Sequence, residues 1–130
     1  MRTNYPFKIA TTPDPADPAR RYTIVAELGE LIAYSSLFED YGFDGDGLGW
    51  REHIETILEE YQPGLLDHLE FAEESHSFLA YADTPFTVRQ FLDWVLPCFG
   101  DLSKLRRYLN QPEPAADCLD YFTQSLFSHN

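Results

Sequence analysis

The most informative segment of the chain, Gly42 to Asp83, reads GFDGDGLGWREHIETILEEYQPGLLDHLEFAEESHSFLAYAD. It opens with a glycine-rich turn over residues 42–49. The apolar residues that follow recur every three or four positions: Trp50, Ile54, Ile57, Leu58 and Tyr61. This spacing is typical of one face of an amphipathic helix, and Pro63-Gly64 ends it.

Strands are predicted on both sides of this helix. Downstream, residues 65–71 and 78–82 are apolar segments separated by a polar turn, which predicts two strands. Upstream, residues 22–28 and 31–38 flank Gly29-Glu30, and this pattern predicts a β-hairpin. A helix through residues 27–38 is the competing interpretation of that region. Residues 7–10 are a candidate edge strand.

The C-terminal half has the pattern of successive helices. After Thr84-Pro85, a helix ending near Pro97 and Gly100 is predicted from the apolar residues Val88, Phe91, Leu92 and Val95. Asp101 is expected to cap a further helix that carries Leu102, Leu105, Tyr108 and Leu109. Residues 111–114 read as a proline linker, followed by a final helix with Ala115, Leu119, Phe122 and Leu126.

Together these elements predict an α+β fold in a single domain over residues 1–130. An antiparallel sheet, formed by the N-terminal hairpin and the central strand pair, packs against three to four helices. Residues 1–21 form a proline-rich extended segment, and residues 111–130 form the C-terminal helix after its linker. Hydrophobic residues make up 44% of the chain, which suffices for a core of ordinary size.

The charge of the chain restricts its partners. Twenty-two acidic residues against nine Lys and Arg give a formal net charge of −13. Such a field disfavours nucleic acid and anionic membranes, whereas it steers a basic protein partner towards the surface. The alternative is that the acidity only keeps the protein soluble. No stretch resembles a signal peptide or membrane span, so we expect a cytoplasmic protein.

The two cysteines, Cys98 and Cys118, follow neither a CxxC spacing nor a disulfide-dense pattern. Each lies among apolar residues, and the expectation is a buried reduced thiol. Whether the two are close in space does not follow from the sequence.

The glycine-rich turn has only part of the pattern of a metal site or a phosphate site. Asp44, Asp46, Gly49 and Glu55 occupy positions of a calcium-binding loop, but Leu48 stands where a further ligand is required. The aspartates would also repel a phosphate group. Neither a metal nor a cofactor is therefore predicted, and the segment is interpreted as a turn.

Catalytic arrangements are equally incomplete. The four histidines lack the spacing of zinc ligands, and no serine lies in a nucleophile-elbow context. Adjacent carboxylates at 39–40, 59–60 and 73–74 point to different faces of an element, so they lack the facing geometry of a glycosidase. We therefore expect no catalytic residue, and binding rather than turnover.

Aromatic residues interleaved with acids are the best candidates for a binding surface, because Tyr and Trp anchor protein interfaces and acids select a basic partner. Trp50 is expected in the core instead, and a place in the core is also the alternative for Tyr41 and Tyr81. The predicted partner-binding residues are Asp40, Tyr41, Asp44, Asp46, Glu73, Glu74, Tyr81 and Asp83.

The middle of the chain resembles a known family. Residues 42–50, GFDGDGLGW, are similar to the pattern G-(Y/F)-x-G-N-G-Y-x-W, which starts a helix in immunity protein family fifty-one of bacterial polymorphic toxin systems. Residues 71–78, FAEESHSF, stand where that family has F-D-x-E-x-x-x-F. Asp46, Leu48 and Ala72 depart from these patterns. The resemblance covers residues 22–110.

The resemblance implies a small cytoplasmic protein that neutralises a cognate toxin by binding, without catalysis. The negative charge agrees with a basic toxin, such as a nuclease. The alternative function is that of an acidic adaptor or regulatory protein-binding domain in another bacterial assembly. The sequence leaves open the identity of the toxin, the face that binds it and the oligomeric state.

Overall fold

A four-stranded antiparallel sheet and four α-helices form the computed structural model, which describes residues 4–12 and 16–110. The strands are β1 (Lys8–Thr11), β2 (Tyr22–Glu27), β3 (Leu69–Phe71) and β4 (Ser77–Ala82), in the order β1-β2-β4-β3. The helices are α1 (Ile32–Asp40), α2 (Gly47–Tyr61), α3 (Pro85–Phe99) and α4 (Leu102–Leu109). The predicted α+β class is confirmed. The predicted linker and final helix over residues 111–130 lie outside the described residues.

Side-chain caps fix where three of the helices begin. The Asp46 carboxylate accepts a hydrogen bond from the Gly49 amide at 2.9 Å, and the Thr84 hydroxyl accepts one from Thr87 at 3.1 Å. The predicted cap at Asp101 is confirmed, because its carboxylate accepts from the Lys104 amide at 2.8 Å. Each cap satisfies an amide that has no partner within its helix.

The predicted hairpin between residues 22–28 and 31–38 is wrong. The second run is α1, as in the competing interpretation, and a short 3₁₀ segment (Leu28–Glu30) precedes it. Tyr34, Leu37 and Phe38 lie at the i, i+3, i+4 spacing and are all buried, so a helix covers the core where a strand would have exposed alternate residues. β2 pairs instead with β1 and β4.

Two further strand predictions have mixed outcomes. The candidate edge strand over residues 7–10 is confirmed as β1, one residue displaced, at the edge of the sheet. The predicted strand over residues 65–71 is shorter than expected, because Pro63–His68 forms a 3₁₀ segment and only Leu69–Phe71 pairs with β4.

Trp50 lies at the centre of the core, as expected from its place on the helix face. It is fully buried, and its ring centroid lies 5.0 Å from that of Phe99, 5.6 Å from Tyr34 and 6.0 Å from Phe7. The core therefore joins α1, α2, α3 and the N-terminal segment through aromatic contacts.

Cys98, on the last turns of α3, is buried as expected and is disulfide-bonded. The expectation of a reduced thiol is therefore wrong for this residue. Cys118 lies outside the described residues.

Candidate functional site

An acidic groove of about 340 Å³ lies between α1, the glycine-rich turn and the turn that joins β3 to β4. Glu39, Asp44 and Asp46 provide its carboxylates, and Ser75 and His76 form the opposite wall. Its remaining lining residues are Leu28, Gly29, Ser35 and Gly45. The structure thus brings acids from two separate segments to one concave surface.

Two glycines shape this region. Gly42 has φ of +83°, a conformation that side chains rarely adopt, and it turns the chain after α1. Gly47 lies against the backbone carbonyl of Glu74, and its amide donates a hydrogen bond to the Ser75 carbonyl at 3.3 Å. The absence of a side chain at Gly47 therefore lets the first turn of α2 contact the β3–β4 turn.

Four of the predicted partner-binding residues are exposed acids at this end of the molecule. Asp40 ends α1, Asp44 lies in the glycine-rich turn, and Glu74 lies in the β3–β4 turn. None of these three forms an ion pair with a residue that the structure describes. Asp46 is also exposed, although one of its carboxylate oxygens caps α2.

Glu73, the neighbour of Glu74, is engaged within the protein. Its carboxylate lies 3.2 Å from a guanidinium nitrogen of Arg51, and its side chain is only 15% exposed. The same guanidinium lies 3.3 Å from Glu55 and 5.3 Å from the centre of the Phe71 ring. Burial opposes the charge of Arg51, but the hydrogen bonds that its guanidinium donates to Glu73 and Glu55 outweigh it and raise the pKa of Arg51.

The two predicted tyrosines are both partly buried and lie apart. Tyr41 follows α1 and packs against the core. Tyr81, on β4, lies under the guanidinium of Arg20, which is 5.0 Å from the ring centre. Arg20 in turn binds Glu70 through two hydrogen bonds, of 3.0 and 2.5 Å.

Asp83 lies at the opposite end of β4 from the acidic groove, roughly 20 Å from Ser77 at 3.3 Å per residue. Its carboxylate accepts hydrogen bonds from His68 at 2.7 Å and Thr87 at 2.6 Å. Partial burial would raise the pKa of Asp83, but these two bonds outweigh it and lower the pKa. The structure therefore places Asp83 away from the other acids and joins it to the start of α3.

Sequence reasoning missed several residues of the groove, among them Ser35, Ser75 and His76. Glu39 was noted only as half of an adjacent carboxylate pair. The glycine at the start of α2 indicates that another segment packs closely against this helix. The sequence does not show which segment that is.

Basic residues are scarce in the part of the chain that forms the groove. Between residues 22 and 88, Arg51 is the single Lys or Arg, while the same stretch carries fifteen acidic residues. Because Arg51 is held by Glu55 and Glu73, it contributes no free positive charge to the groove. A cation approaching this end meets carboxylates.

No group of three or more His, Cys, Asp or Glu within residues 4–12 and 16–110 is placed to hold a metal ion. In the same part of the chain, no helix has the length and apolar character required to cross a membrane.

Comparison with known proteins identifies one family. The model of the family described as Immunity protein 51 matches residues 19–114. Comparisons with curated proteins and with solved structures found no match. The matched residues include the glycine-rich turn, the acidic groove and the whole of β2 to α4.

Proposed function

Because the chain belongs to the immunity protein 51 family, we propose that it binds a cognate bacterial toxin and neutralises it by direct contact, without catalysis. The immunity function itself follows from the family. The proposal adds that the toxin is basic, that the complex forms in the cytoplasm, and that the acidic groove is part of the contact surface.

The observation that carries this proposal is the gathering of exposed acids at the groove. Glu39, Asp44 and Asp46 line it, and the exposed Asp40 and Glu74 adjoin lining residues in the chain. The contact of Gly47 with the β3–β4 turn holds the glycine-rich turn and the β3–β4 turn together. Opposite charge across an interface accelerates encounter and rejects wrong partners. A basic surface on the toxin, such as the substrate cleft of a nuclease, is the complement that this end would cover.

Some of the predicted partner-binding residues already have partners within the protein, so fewer of them are available to contact the toxin. Glu73 and Asp83 already have partners in the protein, and Tyr81 lies under Arg20. We therefore assign direct contact to Asp40, Asp44, Asp46 and Glu74, and a supporting role to Glu73. Tyr41 adjoins Asp40 in the chain, as Phe43 adjoins Asp44.

The experiment is co-expression with the product of the neighbouring gene, followed by measurement of growth rescue and of the purified complex. Asp44→Lys combined with Glu74→Lys is expected to slow association at least tenfold at low salt, with a smaller effect at high salt. The matched control, Glu59→Lys with Glu60→Lys, makes the same charge change on exposed residues of α2.

Equal slowing by both double variants would show that only net charge matters, and would remove the groove from the contact surface. A protein that forms a complex with another bacterial assembly and gives no growth rescue would favour the adaptor or regulatory domain.

A further inference from the structure

A second concave surface, the edge groove, lies between the sheet and α3, with a volume of about 390 Å³. Ile9 of β1 and Tyr22 of β2 form its sheet side, and Val88, Arg89 and Leu92 form its helix side. Among residues 4–12 and 16–110, no acidic residue lines it. In a chain of net charge −13, this surface is unusual, since its described lining combines mainly apolar side chains and Asn4 with one guanidinium, that of Arg89.

The exposed residues beside the edge groove have the composition of an interface. Phe86 is 68% exposed and lies three residues before Arg89, so the two side chains are neighbours on α3. Exposed aromatic residues and arginine are enriched at protein interfaces, whereas Asp and Glu are depleted. Arg89 forms no ion pair with a residue that the structure describes.

The strand that borders the edge groove is unpaired on its outer side. β1 is the first strand in the sheet order, and within the described residues its only partner is β2. Three of its four residues, Lys8, Ala10 and Thr11, are exposed. An extended segment can therefore form backbone hydrogen bonds with β1 while one of its side chains enters the adjacent groove.

We propose that the edge groove binds an extended segment of the toxin, which adds to β1 as a short further strand. This segment places an apolar side chain between Ile9 and Val88 and a carboxylate against Arg89. Charge complementarity selects this occupant, because Arg89 is the one charged side chain among the described residues that line the groove, and it is a cation. The strand is short, since β1 offers only four residues.

The inference rests on the proposed function, because the segment is assigned to the same toxin. It is tested by measuring the affinity of the purified chain for the co-expressed toxin after Arg89→Glu. The matched control is Arg106→Glu, the same change at an exposed residue of α4. Urea unfolding of both variants verifies that each is folded. We expect Arg89→Glu to weaken binding at least tenfold and Arg106→Glu less than twofold.

The backbone pairing of the toxin segment with β1 is tested separately, by hydrogen exchange. Hydrogen–deuterium exchange at the amides of residues 8–11 is expected to slow at least tenfold in the complex, at those amides that face outward from β1. Unchanged exchange at all of them would overturn the added strand. Binding of Arg89→Glu at the wild-type affinity, together with weakened binding of Asp44→Lys/Glu74→Lys, would overturn the edge groove and leave the proposed function intact.

Failure of the wild-type chain to bind the toxin would contradict the proposed function, and the edge groove is then tested with a phage-displayed library of random seven-residue peptides. Enrichment of peptides that combine an apolar residue with Asp or Glu, and that bind wild type but not Arg89→Glu, would support the groove. Absence of such enrichment would overturn it.

Discussion

Gly47 lies so close to the backbone carbonyl of Glu74 that a β-carbon at position 47 would overlap with this oxygen. The contact joins the first turn of α2 to the β3–β4 turn, so that Asp44 and Asp46 line one groove with Ser75 and His76. The carbonyl of Ser77 also lies near, 2.6 Å from the position of that β-carbon. Backbone atoms, unlike flexible side chains, cannot move aside at low cost.

We therefore expect Gly47→Ala to lower the free energy of unfolding by about 2 kcal/mol, the cost of overpacking a rigid site. The measurement is urea unfolding followed by far-ultraviolet circular dichroism. Gly64→Ala is the control, because no atom lies within 4 Å of a β-carbon at that position. It should change the free energy by less than about 0.5 kcal/mol. Equal destabilisation by the two substitutions would contradict the account given for Gly47.

Arg51 is expected to stabilise the protein mainly through Glu73, whose carboxylate is the more buried of its two partners. Arg51→Met keeps an unbranched side chain over Phe71 but removes the charge, and should cost about 1 kcal/mol of unfolding free energy. Glu55→Gln removes only the pair within α2 and should cost about 0.3–0.5 kcal/mol. Thermal unfolding of both variants compares the two losses, and a greater loss for Glu55→Gln would reverse this ranking.

The parts of the fold that could be predicted from the sequence are those where local signals agree. In α2, the apolar spacing from Trp50, the Asp46 cap and the Pro63-Gly64 ending all indicate the same helix. In α4, Asp101 and the buried Leu105 and Tyr108 do the same. The prediction for residues 31–38 is wrong because a run of apolar residues fits both the helix period and the strand period. Burial against the core decides in favour of the helix.

The candidate site was only partly predictable, because the sequence shows which residues are acidic but not which of them already have partners. Glu73 and Glu74 are adjacent in the chain, yet Glu73 binds Arg51 and Glu74 is exposed. Asp83 was grouped with the acids of the glycine-rich turn because of composition, although the length of β4 separates it from them. Contacts between segments distant in sequence decided each of these cases.

Asp83 is expected to act in stability rather than in binding the partner. Asp83→Ala removes the hydrogen bonds from His68 and Thr87, and should lower the free energy of unfolding by about 1–2 kcal/mol. Its affinity for the toxin should change less than twofold, because the residue lies far from the acidic groove. Urea unfolding and titration calorimetry measure the two quantities. A tenfold loss of affinity in a variant of unchanged stability would return Asp83 to the contact surface.

His53 lies among the rings of Phe38, Phe43 and Tyr108 on the inner side of α2. Its Nδ1 atom is 2.8 Å from the Tyr108 hydroxyl. Burial among these rings lowers the pKa of His53 to about 4, from the ordinary value of 6.5. The imidazole is therefore neutral in the folded protein at neutral pH.

This lowered pKa predicts a loss of stability between pH 6.5 and pH 4. In that window the unfolded chain binds a proton at His53 and the folded chain does not, so stability is full above pH 6.5 and falls as the pH approaches 4. The loss amounts to about 3 kcal/mol across the window, at 1.36 kcal/mol per unit. His53→Phe should lack this component when urea unfolding is measured at several pH values. Parallel pH profiles for the variant and the wild type would show that His53 does not titrate in this way.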